Sequence, residues 1–332
     1  MILDIAPLLT VIISFGITIS ILPRLIDKMI KADICGIDVN KIDKPKIPEM
    51  GGIAGVLGFT LGATFMLGLV KYFDTIDDYP VLVSISVVCI ASLIGLLDDV
   101  SILGRKEKAW FISLAALPII ISQIGEPEIN FIFYLVSFEA YPLFFWLILV
   151  PLGITCCANA LNMSAGYNGL ESGQFTIISF TLLVISFFDE TSLPIVIIYA
   201  SIFGSSIGLY TFNKYPSKIF LGDIATLGFG SLIAATVIMS GHIIYGVICI
   251  IPTFYELFST VKYSFKGIER RGACMNPIIT KDGKLRVPQE ANDYTLAYFL
   301  LSRKEMNEKT LVTNILSLYA FCGLVSILIS LI

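Results

Sequence analysis

The feature that most constrains this chain is a succession of long apolar runs separated by short polar intervals. The runs are Ile5–Ile26, Gly51–Val70, Pro80–Leu97, Ala109–Ile124, Pro142–Ala158, Phe175–Phe188, Leu193–Phe212, Ile224–Ser240, Ile243–Phe258 and Leu311–Ile332. A bilayer crossing takes about 20 apolar residues, and a lone segment in hydrocarbon satisfies its own backbone groups only as a helix. The expected fold class is therefore all-α: a polytopic membrane protein of about ten transmembrane helices, with residues 1–332 forming a single integral membrane domain. Composition agrees, with 56% hydrophobic and 14% charged residues, against roughly 25% charged in a soluble domain. The seven cysteines are odd in number and fall mostly inside apolar runs. They read as small packing residues and not as a disulfide framework. Ile2–Ile26 is long enough to remain as the first span, unlike a cleavable signal.

The basic residues sort by side. Arg24, Lys28, Lys31, Lys41, Lys44 and Lys46 end or follow the first run, Arg105, Lys106 and Lys108 follow the third, and Lys214 and Lys218 follow the seventh. Segment 260–308 carries nine more. The opposite intervals hold Asp74, Asp77, Asp78, Glu126, Glu128, Asp189 and Glu190, with Lys71 as the exception. Lys and Arg mark the cytoplasmic side, so both termini are expected outside. Within 260–308, Lys281–Lys284 reads as a turn between short extended runs, and Asp293–Leu301 as an amphipathic stretch.

Several basic-side intervals carry more polar chemistry than turning requires. Asn159–Gln174, read as a loop between two spans, holds Asn159, Asn162, Asn168, Glu171 and Gln174 with Gly166, Gly169 and Gly173. Asp98 and Asp99 close the third run at a helix C-terminus, where negative charge is disfavoured unless a cation compensates it; Arg105, Lys106 and Lys108 follow. Asp223 opens the eighth run. It reads either as a helix N-cap or as a carboxylate holding Mg2+ beside a helix N-terminus that receives phosphate. Asn162-Met163-Ser164 matches a glycosylation acceptor, which the expected topology places on the wrong side. The only histidine, His242, falls at the outer end of the eighth run, so the basic-side cluster works without imidazole and shows no zinc pattern. Carboxylates, amides, Lys and Arg suit Mg2+ and phosphate.

NALNMSAGYNGLESGQ at Asn159–Gln174, LLDDV at Leu96–Val100, IFLGD at Ile219–Asp223 and DVNKIDKPKIPEMGG at Asp38–Gly52 together resemble the polyprenyl-phosphate N-acetylhexosamine-1-phosphate transferases, known as glycosyltransferase family 4. AGYNGLE at Ala165–Glu171 is similar to the archaeal and eukaryotic branch, which includes dolichyl-phosphate GlcNAc-1-phosphotransferase. The bacterial branch, which includes the phospho-MurNAc-pentapeptide translocase, carries a more aspartate-rich version. The resemblance implies a Mg2+-dependent enzyme, with Mn2+ as the alternative ion. It would transfer a sugar-1-phosphate from UDP-N-acetylglucosamine or a related UDP-sugar to a polyprenyl or dolichyl phosphate, releasing UMP. It implies that Asn162 and Asp223 hold the metal, that Asp98, Asp99 and Lys108 stand at the reaction centre, and that Val39, Gly166, Asn168 and Phe220 cradle the uracil. Glu49 would lie near the nucleotide, and Asn159 is a further substrate-binding candidate. The family's His- and Arg-rich sugar motif is replaced here by ERRGACMNPIITKDGKLRV at Glu269–Val287, where Arg270, Arg271 and Asn276 are the candidate substitutes. Expected partners are the UDP-sugar, the lipid phosphate and membrane lipid, with a homodimer left open and no nucleic acid. A secondary transporter would need ionisable groups at mid-membrane and commonly shows an internal repeat; the runs show almost none of the first and none of the second. A CDP-alcohol phosphotransferase would need a dense aspartate array on adjacent helices, which this chain lacks.

Overall fold

A computed structural model describes residues 2–101, 104–131, 133–266, 276–291 and 295–332. Thirteen helices are used below. They are α1 (Ile2–Lys31), α2 (Gly52–Phe73), α3 (Tyr79–Ser101), α4 (Arg105–Ser113), α5 (Leu117–Ser122), α6 (Pro142–Ser164) and α7 (Leu170–Phe188). After these come α8 (Leu193–Asn213), α9 (Asp223–Met239), α10 (Ile243–Cys249), α11 (Ile251–Phe265), α12 (Leu296–Arg303) and α13 (Glu308–Ser330). Three antiparallel ribbons interrupt them: β1 (Cys35–Ile37) with β2 (Lys46–Pro48), β3 (Glu128–Asn130) with β4 (Leu135–Ser137), and β5 (Ile278–Ile279) with β6 (Leu285–Arg286). The expected turn at Lys281–Lys284 is the β5–β6 hairpin, closed by Gly283 at φ 74°. The described part of the expected amphipathic stretch is α12, whose Thr295 hydroxyl caps the Tyr298 amide at 3.0 Å.

Seven helices among the described residues are long and apolar enough to cross a membrane: α1, α2, α3, α6, α7, α8 and α13. The protein is thus a multi-pass integral membrane protein. Three expected spans are shorter or broken. The fourth is the helical stretch Trp110–Ser122, the eighth is α9 with 17 residues, and the ninth is divided between α10 and α11.

Helix position follows from side-chain distribution. α9 is apolar all round, and every residue from Ile224 to Met239 is buried, as expected of a helix enclosed by others. Outer helices turn apolar faces outward, with Leu8, Phe65, Leu93, Phe187 and Phe321 all exposed, which suits lipid. Small residues let backbones approach α9. A Cβ on Gly52 would lie 2.6 Å from the Ala225 nitrogen, and one on Gly230 would lie 2.7 Å from the Ala158 Cα. The Ser92 hydroxyl of α3 donates to the Ile224 carbonyl at 3.1 Å. These contacts bring the start of α9 against the ends of α3 and α6.

Candidate active site

The side chains that converge stand on helix ends. This differs from the loop expected at Asn159–Gln174. Asn159–Gln174 is mostly helical: α6 runs through Asn159 and Asn162 to Ser164, and α7 begins at Leu170. The true turn is residues 165–169, with Gly166 at φ 120° and Gly169 at φ 85°.

At the start of α9, Gly222 takes φ 73° and a Cβ there would stand 2.5 Å from Asp99 Oδ2. Glycine therefore admits a carboxylate from another helix. The Asp223 and Ile224 amides donate to Asp99 Oδ1 and Oδ2 at 3.0 and 3.4 Å. Asp223 is thus not its own cap. Asp99 satisfies the open amides of α9, which leaves the Asp223 side chain available for other contacts.

Those contacts form one cluster. Lys108 Nζ donates to Asp98 Oδ2 at 2.7 Å, to Asn162 Oδ1 at 3.3 Å, and to Asp223 Oδ2. The Asn162 amide nitrogen donates to Asp223 Oδ1 and to Thr226 Oγ1, both at 2.7 Å. Three helices (α3, α6 and α9) so deliver one oxygen atom each to the single cationic point that α4 supplies. Burial alone would lower the Lys108 pKa; the Asp223 charge and the hydrogen bonds to Asp223 and Asp98 outweigh it and hold the ammonium above its ordinary 10.5. Lys108 is therefore charged at neutral pH.

Two cavities adjoin this cluster. The larger, about 740 Å³, is lined by Asp98, Lys108, Asn159, Asn162 and Asn276, and extends to Glu256, Thr295–Tyr298 and Tyr319. The smaller, about 350 Å³, is lined by Val39, Gly166, Asn168, Phe220, Asp223 and Thr226. Both are in the size range of ligand sites, and they share Val39, Asn40 and Ala165–Tyr167 as a common wall. Glu49 lines neither; it follows β2, and burial raises its carboxyl pKa. Arg270 and Arg271 lie outside the described residues.

Asn168 has a second occupation. Its amide nitrogen donates to Asp38 Oδ2 at 2.9 Å and to Glu308 Oε1 at 2.7 Å, and its carbonyl accepts from the Ser217 amide at 2.7 Å. Lys41 completes this group with ion pairs to Asp38, at 3.2 Å, and to Glu308. Sequence reading missed Glu308, Lys41 and Asp38 as partners. Asp38 and Lys41 at i, i+3 were a visible local signal, but Glu308 is 140 positions from Asn168 and has none. Gln174, singled out as polar excess, is also structural: it bonds Ser164 Oγ at 3.0 Å and the Tyr319 hydroxyl at 2.9 Å.

A hard divalent cation suits the main cluster by donor chemistry, since Asp98, Asn162 and Asp223 all present oxygen to one cationic position. Among the described residues no group of three or more His, Cys, Asp and Glu side chains is placed to hold a metal.

Comparison with known proteins places this arrangement. The model of glycosyl transferase family 4 matches residues 81–241, which contain Asp98, Lys108, Asn162 and Asp223. A protein of Methanocaldococcus jannaschii, provisionally named a glycosyltransferase, is 31% identical over 97% of this chain and 96% of its own. A Saccharolobus solfataricus protein is provisionally named UDP-N-acetylglucosamine–dolichyl-phosphate N-acetylglucosaminephosphotransferase. It is 31% identical over 79% of this chain and 80% of its own. Phospho-N-acetylmuramoyl-pentapeptide-transferase of Enterococcus faecalis is 28% identical over 81% and 87%. With one relative matched along nearly its whole length, others over about four fifths of it, and the cluster inside the matched segment, the chain belongs to glycosyl transferase family 4.

Proposed function

We propose that this protein transfers N-acetylglucosamine-1-phosphate, or a closely related sugar-1-phosphate, from a UDP-sugar to a polyprenyl or dolichyl phosphate and releases UMP. The observation that carries this reading is the ammonium of Lys108 held by Asp98, Asn162 and Asp223 beside two adjoining cavities. The smaller cavity takes the nucleoside, the cluster takes the diphosphate, and the larger cleft takes the sugar and the lipid phosphate. The archaeal relative named for UDP-N-acetylglucosamine and dolichyl phosphate supports that substrate pair.

The attacking lipid phosphate has a second pKa near 6, so at neutral pH it is largely a dianion and needs little help from a base. Its difficulty is meeting a second anion. Preorganised positive charge is the main catalytic device for such a transfer. Lys108 supplies one charge, and Asp98 aims it. Asp99 fixes the start of α9 and so the position of Asp223. Mg2+ held by Asn162 and Asp223, with Mn2+ as the alternative, would neutralise the diphosphate and orient it. The phosphorus–oxygen bond to UMP breaks as the new one to the lipid phosphate forms.

This end of the bundle is assigned to the cytosol, because the intervals rich in Lys and Arg lie there. The helical stretch Trp110–Ser122, α9 and the α10–α11 pair then bring the crossings to about ten, with both termini outside. Residues 260–308 form the sugar-recognition segment. The test is direct. Membranes holding the protein are incubated with Mg2+, polyprenyl phosphate and radiolabelled UDP-N-acetylglucosamine. Lipid-linked label and UMP, both abolished by EDTA, are expected; unlabelled lipid with intact sugar nucleotide would refute the assignment.

A further inference from the structure

The wall shared by the two cavities contains one residue whose backbone is held at both ends by side chains. Gly166 stands in the α6–α7 turn at φ 120°. Among the described residues, no atom beyond its chain neighbours lies within 4 Å of where its Cβ would stand, so packing on that face does not fix it. A glycine left to itself takes positive and negative φ about equally. The Gly166 amide donates to Glu171 Oε1 at 2.9 Å, and its carbonyl accepts from Asn40 Nδ2 at 3.1 Å. Glu171 lies in the first turn of α7. Asn40 is 7% exposed, and its own amide donates to Asp38 Oδ1 at 3.1 Å. Gly166 is thus gripped from α7 on one side and from the first polar interval on the other.

Glu171 and Asn40 both line the smaller cavity, and Gly166 lines both cavities. The smaller, about 350 Å³, has less than half the volume of the larger, about 740 Å³. A given shift of the common wall therefore changes a larger share of it. We infer that Glu171 and Asn40 are positioning residues for nucleotide binding: by gripping the Gly166 amide and carbonyl, they fix the wall against which the nucleoside lies. This inference rests on the reading of the smaller cavity as the nucleoside site. Neither residue needs a free polar atom for this role, since each acts through the bond it already makes to Gly166. Asn162, four positions earlier, stays within α6 and is held by its own bonds to Asp223 and Thr226. Loosening the turn is therefore expected to act on nucleotide affinity and not on the chemical step.

Purified wild type, Glu171→Ala, Glu171→Gln, Asn40→Ala and the variant carrying both alanines are titrated with UMP in the presence of Mg2+, and their steady-state kinetics are recorded. A charge-assisted hydrogen bond is worth about tenfold in affinity. Glu171→Ala is expected to bind UMP about tenfold more weakly, with a correspondingly higher KM for UDP-N-acetylglucosamine. Asn40→Ala loses a neutral bond and should fall about fivefold; it reads the grip from its other end, independently of how well Glu171→Ala folds. Glu171→Gln keeps an acceptor oxygen for the Gly166 amide and should stay within about threefold of wild type. In every variant kcat and the KM for polyprenyl phosphate should stay within about threefold. Two residues acting through one glycine are coupled, so the double variant should lose less than the product of the single losses. Unchanged UMP affinity in either single alanine variant would overturn the inference, including the case where only the unfolding midpoint falls, which marks a structural role alone. So would a loss confined to kcat, a loss in Glu171→Gln equal to that in Glu171→Ala, or a double loss equal to the product. A wild type that binds neither UMP nor the sugar nucleotide would place the error in the nucleoside reading itself, a result distinct from all of these.

Discussion

Two lysine-centred clusters stand at the same end of this bundle with nearly the same ingredients. Lys108 sits among Asp98, Asp223 and Asn162; Lys41 sits among Asp38 and Glu308, with Asn168 bonded to both carboxylates. Each lysine side chain is 15% exposed. The carboxylates differ: Asp98 and Asp223 are 14% and 24% exposed, while Asp38 and Glu308 are 3% and 2%. The Asn168 carbonyl is also taken by the Ser217 backbone. The Lys41 cluster therefore spends its polar groups on one another and ties the first polar interval, the α6–α7 turn, the segment after α8 and the start of α13 together. The Lys108 cluster keeps faces open to two cavities. Similar chemistry is a fastening in one place and, as we propose, a reaction centre in the other, and access separates the two.

The sharpest way to break this contrast is Asp223→Ala. Removing one preorganised charged group from a transition-state site costs on the order of 10²- to 10³-fold in rate. We expect that loss in the radiolabel assay with an unchanged unfolding midpoint, and near-normal turnover would remove Asp223 from the centre. Next in size is Glu308→Ala. Breaking a buried ion pair costs up to about 3–5 kcal/mol, and Lys41 would keep only Asp38. Detergent-solubilised protein should melt at markedly lower temperature, whereas an unchanged midpoint would mean that the fastening carries no load.

Gly95→Ala tests how the reaction centre is positioned. A Cβ on Gly95 would overlap the Asp223 carbonyl and approach the Ile224 nitrogen to 2.7 Å. Pushing the start of α9 away by about 1 Å is expected to lower turnover about 10²-fold with smaller effects on UMP binding. Equal kcat in the variant would show that α9 is free to shift.

The smallest effect is expected at the opposite end. His242 is 4% exposed and lies between Tyr199 and the turn after α7, with Nε2 3.3 Å from Asp189 Oδ2. Burial nevertheless lowers its pKa from 6.5 to about 4. Between those values the unfolded chain binds a proton that the folded chain does not, so this residue's contribution to stability falls as pH drops from 6.5 towards 4. Replacing it by Phe should flatten the pH dependence of the unfolding midpoint in that window, by an amount on the order of 2 kcal/mol. A variant with the wild-type slope would refute the neutral, buried assignment.

Much of this molecule was legible from residue order. The apolar runs gave the helices, since hydrocarbon leaves a chain few alternatives, and Asp98, Lys108, Asn162 and Asp223 were expected together. Less visible was how they are held. Asn159 and Asn162 looked like loop residues because glycines and asparagines signal turns, yet α6 continues to Ser164 because its last turn packs against α9. Asp223 could be read as a cap as well as a metal-holding carboxylate, because a carboxylate at a helix start often caps its own helix; here the cap comes from Asp99, 124 positions away. Asn168 was expected at the uracil, and its bonds to Asp38 and Glu308 depend on contacts no local pattern encodes.

The comparison between the two lysines offers the most direct measurement of all. Lys108→Ala and Lys41→Ala are purified in parallel, the folded fraction of each is determined, and transfer of labelled sugar phosphate to polyprenyl phosphate is counted per folded molecule. We predict a loss greater than about 10²-fold for Lys108→Ala, against a change within about threefold for whatever Lys41→Ala protein remains folded. Equal specific activities in the two variants would contradict the account.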